Sequence, residues 1–223
     1  KVTGRTRYVD DLCLPGMLYG KTVRSTIACG KILSIEFPPE IPWNEFTIVD
    51  CRDLPGKNIV KLIVDDQPVL CDGEVHHRGE PILLIAHPDR QAAAYAARSV
   101  RITYEESPGL FKMGEGVVQK EIRIETGDLE REFACSDLVL ERTYRTGAQE
   151  HVYIEPQGML AQWNEEGLSV QGSLQCPYYV QAALKYSLNL NDDEVNVIQT
   201  ATGGGFGGKE EFPSMLAIHA ALL

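Results

Sequence analysis

Short stretches of alternating apolar and polar residues near the start of the chain predict β-strands. Strands are expected at 17–24, 31–37 and 46–49. The first follows the turn Leu14-Pro15-Gly16, and the last is closed by Asp53-Leu54-Pro55-Gly56. The first fifty residues therefore predict several short strands joined by tight turns.

Two later segments each predict a strand, a helix and a second strand. In 81–104, a continuous apolar run of strand length precedes an alanine-rich helix that opens at Pro88-Asp89, and an alternating strand follows. In 167–199, apolar residues alternate from Leu168 to Leu174, and proline at position 177 suits the first turn of a helix. The helix presents one apolar face, made of Val180, Ala183, Leu184 and Leu188.

The second of these segments leads into an unusual loop, Gly203-Gly204-Gly205-Phe206-Gly207-Gly208-Lys209-Glu210. Glycine lowers the stability of a fold unless the backbone must turn sharply or approach another group closely. Successive main-chain N–H groups can also point at one ligand. We interpret the loop as one that presents main-chain donors to a cofactor, with a purely structural turn as the simpler alternative.

Two nucleotide-binding patterns partly fit the same loop. Gly203, Gly205 and Gly208 satisfy the dinucleotide pattern of Rossmann folds, but the sequence stops at Leu223, so the acidic residue expected about twenty positions later cannot be tested. Gly203 to Lys209 nearly satisfies the P-loop pattern, which then requires Ser or Thr. Glu210 stands there instead and would repel phosphate, so a P-loop nucleotide-binding protein is a weak alternative.

Composition narrows the classes of partner. The 223 residues carry a net charge of −11, which disfavours nucleic acid, and no apolar run reaches the roughly 18 residues of a membrane span. The six cysteines are widely spaced, as expected for reduced thiols in a cytoplasmic protein. The neighbouring His76 and His77 would point to opposite faces of a strand, so we do not interpret them as ligands of one metal ion.

Three blocks of sequence resemble the molybdopterin-binding large subunit of the xanthine dehydrogenase and aldehyde oxidase family. They are the glycine loop, the block Gly147-Ala148-Gln149-Glu150-His151-Val152-Tyr153-Ile154-Glu155-Pro156, and the opening Val2-Thr3-Gly4-Arg5-Thr6-Arg7-Tyr8-Val9-Asp10-Asp11. The resemblance implies an α+β fold, with an α/β hammerhead domain followed by the first part of the molybdopterin-binding domain. It places the hammerhead at 1–104 and the start of a truncated cofactor domain at 128–223, and the proline, glycine and charged residues of 105–127 predict a linker between them. A short helix after Gly127 and a strand at 138–144 are also expected.

The same resemblance implies a molybdenum-pterin cofactor that hydroxylates an electron-poor carbon, with water as the oxygen source. Iron–sulfur clusters and FAD would lie on partner domains or subunits, and the intact enzyme would be a homo-oligomer. Substrates would be purines, related N-heterocycles or aldehydes. A non-catalytic scaffold or assembly protein that keeps the fold is the alternative from another class.

Site residues follow from the matched blocks. Gln149 matches the glutamine whose amide approaches the oxo group of the metal, and Phe206 matches the residue whose main-chain N–H reaches the molybdenum site. Gly205 and Gly207 would let the backbone come close to the cofactor. Glu210 matches the glutamate that hydrogen-bonds the substrate ring in purine hydroxylases, although Glu211 is an alternative. No side chain is expected to ligate molybdenum directly.

The general base of the family is a glutamate in a Gly-x-Gly-Glu context, and that motif does not occur in these 223 residues. The run 215–223 is apolar and helical in pattern to its last residue. The sequence is therefore expected to be a fragment that does not oxidise purines by itself.

Overall fold

The computed structural model describes residues 2–112 and 114–223. It divides into two compact units. The larger unit consists of residues up to Pro108 together with those from His151 onward, and the smaller one of Gly109–Glu150. In the part of the chain so described, no helix is both long and apolar enough to cross a membrane.

The regular elements are short strands followed by a mixture of α-helices and strands. In chain order they are β1 (Tyr19–Arg24), β2 (Gly30–Glu36), β3 (Thr47–Val49), β4 (Glu74–Val75), β5 (Pro81–His87), α1 (Arg90–Ser99), β6 (Arg101–Glu106), α2 (Leu129–Cys135), β7 (Met159–Asn164), β8 (Gly167–Gly172), α3 (Pro177–Leu188), β9 (Val195–Gln199) and α4 (Phe212–Leu222). The predicted strands and helices of 17–104 and 167–199 are thus confirmed. The short strand β4 and the strand β7 were not predicted.

The strands form three small sheets, which differ in whether neighbouring strands run parallel or antiparallel. The orders are β1-β5-β3, β4-β2-β6 and β7-β8-β9. The first two sheets are antiparallel, whereas β8 and β9 run parallel and are joined through α3. The strand–helix–strand segment of 81–104 differs, because β5 and β6 lie in separate sheets. Among the described residues, only the segment containing α3 therefore forms a βαβ unit with neighbouring parallel strands.

One apolar core supports the βαβ unit and ties it to the first part of the larger unit. Leu168 and Val170 of β8 pack with Leu184 of α3 and Ile218 of α4, and the same cluster includes Leu84 of β5. All five side chains are buried. Loss of one such leucine side chain costs about 2–5 kcal/mol. The sheet that leads to the glycine loop is therefore firmly anchored.

Helix α3 begins and ends as its sequence predicts. Pro177 occupies the first turn, where a missing N–H does no harm. Asn189 caps the carboxyl end in the left-handed conformation, with φ of 57°. The helix therefore delivers the chain to β9 and the glycine loop at a defined point.

The smaller unit contains the predicted short helix, α2, whose start is capped by the Asp128 carboxylate accepting a hydrogen bond from the N–H of Arg131 at 3.1 Å. The strand expected at 138–144 does not form, and that prediction is wrong for this structure. A strand requires a hydrogen-bonded neighbour, and the side chains of 138–144 are exposed. The alternation of Leu138, Leu140 and Tyr144 alone could not supply that neighbour.

Candidate functional site

The glycine loop begins at the carboxyl end of β9 and ends at α4. The parallel strands β8 and β9 are held together there by the Thr200 N–H donating to the Gly172 carbonyl at 2.9 Å. The side-chain amide of Gln199 also donates to the Leu174 carbonyl, at 2.6 Å. Ligands commonly bind beyond the carboxyl ends of parallel strands. The loop therefore lies where this kind of sheet places functional groups.

Glu155 anchors both ends of the loop. Its Oε2 accepts hydrogen bonds from the Gly203 N–H at 2.6 Å and from the Lys209 ammonium at 3.0 Å. The Ser173 hydroxyl donates to the same oxygen at 2.6 Å. Burial alone would raise the pKa of Glu155, but these three hydrogen bonds hold the pKa below its ordinary value. Glu155 is therefore an ionised acceptor at neutral pH.

Gln175 holds the second half of the loop. Its Oε1 accepts from the N–H groups of Gly207 and Lys209, both at 3.1 Å. Its own main-chain N–H donates to the Lys209 carbonyl at 2.7 Å. A turn is closed by the Gly208 N–H donating to the Gly205 carbonyl at 2.8 Å. The backbone from Gly205 to Lys209 is thus fixed by a side chain from the segment between β8 and α3.

Two kinds of constraint explain the glycines, and both lie within the chain. A Cβ on Gly203 would lie 2.5 Å from the Cβ of Glu155, and one on Gly205 would lie 2.4 Å from Oε1 of Gln175. Gly204 and Gly207 instead have φ of 98° and 92°, which side chains rarely adopt. These constraints within the chain are sufficient to explain the four glycines, and close approach of a cofactor to the loop stays a prediction.

Three consecutive main-chain donors remain unused between the anchored ends. The N–H groups of Gly204, Gly205 and Phe206 donate to no acceptor in the described part of the chain. Phe206 has φ of 52°, between the positive φ angles of Gly204 and Gly207. Successive N–H groups in such turns form concave anion-binding sites. The loop thus fits an anionic or oxo group, as the molybdenum-pterin cofactor would present.

The predicted residues of the loop differ in what they expose. The Phe206 ring is 76% exposed, so it is not a core aromatic. The N–H of Gly207 is taken by Gln175, whereas that of Gly205 is unused. The Glu210 carboxylate is exposed, with Oε1 3.9 Å from the position of a Cβ on Gly207. Phe206 thus lies within the turn, and the Glu210 carboxylate lies close to it.

A third group beside the loop is Cys176, which precedes α3. Burial raises the pKa of the Cys176 thiol, and the nearby carboxylates of Glu210 and Glu211 raise it further. Both carboxylates therefore lie close enough to the Cys176 thiol to affect its pKa.

Gln149 lies in the other unit, Gly109–Glu150, close to its end. Its side chain is exposed and belongs to no helix or strand. Its predicted approach to the metal remains a prediction.

Lys209 has a role that the sequence did not indicate. Its side chain has no exposed surface, and its ammonium donates to Ser173 Oγ at 2.9 Å as well as to Glu155. It also lies 4.7 Å from the centre of the Tyr153 ring. A lysine held in this way cannot reach a phosphate, which argues against the P-loop alternative. Glu155 and Lys209 both stand in the matched blocks, but nothing in their spacing indicates that they pair.

Comparisons with known proteins cover both parts of the sequence. Residues 3–108 match the a/b hammerhead domain of aldehyde oxidase and xanthine dehydrogenase, and residues 112–223 match the molybdopterin cofactor-binding domain. The chain is 32% identical to the nicotinate dehydrogenase large molybdopterin subunit of Eubacterium barkeri, over all of this chain and 55% of that protein. It is 30% identical to one subunit of the probable xanthine dehydrogenase of Bacillus subtilis, over all of this chain and 32% of that protein.

The structure of the chain is also similar to solved structures of larger proteins. The aldehyde oxidoreductase of Desulfovibrio gigas superposes with a TM-score of 0.84 and 22% identity, over 98% of this chain and 28% of that one. The chain therefore spans about half or less of the length of these proteins. The expected order of a hammerhead domain followed by a molybdopterin-binding domain is confirmed. On these matches, the chain belongs to the aldehyde oxidase and xanthine dehydrogenase family of molybdenum hydroxylases.

Proposed function

We propose that the chain forms part of the active site of a molybdenum hydroxylase that oxidises an electron-poor N-heterocycle, with water as the oxygen source. The observation that carries the proposal is the row of three unused N–H groups at Gly204, Gly205 and Phe206. They lie in a loop whose ends are fixed, in which Phe206 is exposed, Gly204 is half-buried and Gly205 is buried. The family supplies the identity of the group that they would meet.

The proposed role of the loop and of Gln149 is to hydrogen-bond the cofactor. The three N–H groups would hydrogen-bond the cofactor without adding net charge, and we propose the same role for the Gln149 amide. When bound, the molybdenum-pterin group supplies the redox chemistry. The chain supplies position and hydrogen bonds through fixed dipoles.

Glu210 is the residue proposed to select the substrate. An exposed carboxylate beside the turn can accept a hydrogen bond from a ring N–H, and charged hydrogen bonds are the stronger kind. The two relatives are named for nicotinate and xanthine, which both contain ring nitrogen. We therefore propose purines and related azines as the substrate class, ahead of aldehydes.

The complete enzyme needs more than this chain supplies. We propose that iron–sulfur and flavin domains or subunits accept the electrons, that the general base comes from elsewhere in the enzyme, and that the assembly is cytoplasmic and oligomeric. Within the chain we propose a hammerhead at 1–104, a linker at 105–127 and cofactor-domain sequence at 128–223. Tight cofactor binding and turnover are then properties of the assembly.

A substrate screen on the native enzyme tests the proposal. Xanthine, hypoxanthine, nicotinate and an aromatic aldehyde are each supplied with an artificial electron acceptor. Glu210→Gln is compared with Glu211→Gln, since both carboxylates lie near Cys176. We expect Glu210→Gln to lower kcat/KM for the heterocycle by roughly tenfold or more, and Glu211→Gln to leave it unchanged.

Other outcomes would change the assignment. A loss confined to Glu211→Gln would give the role to Glu211. Equal oxidation of the aldehyde by both variants and the wild type, with no heterocycle oxidised, would contradict the proposed substrate class. A native protein that oxidises none of these compounds and holds no molybdenum would favour the scaffold alternative.

A further inference from the structure

The ion pair between Lys209 and Glu155 lies beneath the glycine loop and takes no part in the chemistry proposed above. The ammonium of Lys209 is fully buried, and the side chain of Glu155 is only 12% exposed. Lysine and glutamate are almost never buried unless they are paired. The pair thus belongs to the interior, whereas Phe206 and Glu210 are exposed.

Stability alone does not account for such a pair. Removing two charges from water is unfavourable, and a buried ion pair replaced by uncharged groups of similar size often leaves a protein as stable as before or more so. Buried pairs of this kind can instead select one arrangement of the chain over others. The hydrogen bonds of this pair show which arrangement it selects.

The pair closes the loop at both ends. Glu155 Oε2 receives the Gly203 N–H at the start and the Lys209 ammonium at the end. Between them the backbone passes through three residues of positive φ, one of which, Phe206, is not glycine. A non-glycine residue disfavours that conformation, so the loop would relax if its ends were released. The unused N–H groups of Gly204 to Phe206 depend on this closed shape.

We propose that Lys209 and Glu155 are positioning residues that keep the three N–H groups of Gly204, Gly205 and Phe206 in a ligand-accepting arrangement. The identity of the ligand rests on the proposed function, but the positioning of the loop does not. Ser173 belongs to the same hydrogen-bonded group, since its hydroxyl donates to Glu155 and accepts from Lys209. Tyr153 covers the ammonium with its ring.

The test separates the loop from the rest of the fold by using a neutral double variant. Lys209→Met leaves the Glu155 charge buried without its partner, so the midpoint of thermal unfolding should fall by roughly 10 °C. Adding Glu155→Gln removes that charge and keeps an acceptor for the Gly203 N–H, so most of the midpoint should return. Lys31→Met, which removes an exposed pair with Glu74, is the control and should change the midpoint little.

Amide hydrogen exchange of the purified 223-residue chain then measures how well the amides of the loop are protected. The reporters are the N–H groups of Gly207 and Lys209, which donate to Gln175. We expect exchange at these two amides to be at least tenfold faster in the double variant than in the wild type, at matched stability, while amides of the β8–β9 ladder keep their protection.

Each other outcome decides against the proposal. If protection of the loop returns together with stability in the double variant, the pair has only a structural role. If Lys209→Met leaves both midpoint and exchange unchanged, the pair has no role. If the double variant is not restored, it is compared with a core variant of similar midpoint, Ile82→Ala, and equal loop exchange in the two would overturn the proposal.

Molybdenum content separates this proposal from the proposed function. The native enzyme carrying the double variant should lose most of its molybdenum while the Lys31→Met enzyme retains it. If the wild-type enzyme itself holds no molybdenum, the proposed function fails, whereas the exchange result still decides whether the pair positions the loop.

Discussion

Replacing Gly205 by alanine tests why this glycine is needed. Its φ is not in the left-handed region, so an added methyl group causes no backbone strain there. The methyl carbon would instead lie 2.4 Å from Oε1 and 2.7 Å from Cδ of Gln175. Gln175 must therefore move, and it must release the N–H groups of Gly207 and Lys209.

The cost follows from those two hydrogen bonds. Each contributes about 1 kcal/mol, so Gly205→Ala should lower the free energy of unfolding by about 2 kcal/mol. Urea denaturation of the purified chain should show a lower midpoint with an unchanged slope. Gly116→Ala is the matched control, because no atom lies within 4 Å of an added Cβ there and its φ is ordinary.

A double variant identifies the cause of the loss. Gln175→Ala removes the same two hydrogen bonds, so adding Gly205→Ala to it should cost little more. Additive losses would show that Gly205 is needed for some other reason. Equal stability of Gly205→Ala and Gly116→Ala would refute the packing explanation altogether and would restore close approach of a ligand as the reason for this glycine.

Two further predictions concern parts of the larger unit away from the loop. Burial lowers the pKa of His219 to about 4 from an ordinary 6.5, and its Nε2 lies 3.0 Å from the Val69 carbonyl, so the folded chain holds a neutral imidazole. The unfolded chain takes up the proton first as pH falls below 6.5, so this residue should remove about 2 kcal/mol of stability between pH 7 and pH 5. That slope in urea titrations should disappear in His219→Gln and persist in His77→Asn; an unchanged slope in His219→Gln would contradict the assignment. Asp89 caps α1 by accepting the N–H groups of Gln91 and Ala92, so Asp89→Ala should cost about 1 kcal/mol, and an unchanged thermal midpoint would refute the cap.

Local patterns were sufficient where neighbouring residues decide the structure. Helix α3 follows from the proline at its start, its apolar stripe and the asparagine at its end, all within thirteen residues of chain. The strand at 138–144 failed for the opposite reason. Its alternation is clear in sequence, but a strand also needs a partner that no local pattern provides.

The site was only partly predictable from the sequence. The glycine loop was recognisable from its composition, and the resemblance of the matched blocks indicated Gln149, Phe206 and Glu210 as site residues. What the sequence could not supply was the packing of Gly205 against Gln175, or the burial of Lys209 against Glu155, 54 residues away along the chain. Lysine is usually exposed, so its burial here contradicts the expectation from residue type.

The molybdenum and pterin content of the native protein, purified from its source, shows whether the glycine loop belongs to a molybdenum-pterin site. We expect both to copurify with this chain in stoichiometric amount and to be depleted by Gly205→Ala but not by Gly116→Ala. A fully folded native protein that contains neither molybdenum nor pterin would contradict this expectation, because the unused N–H groups of the loop would then have another purpose.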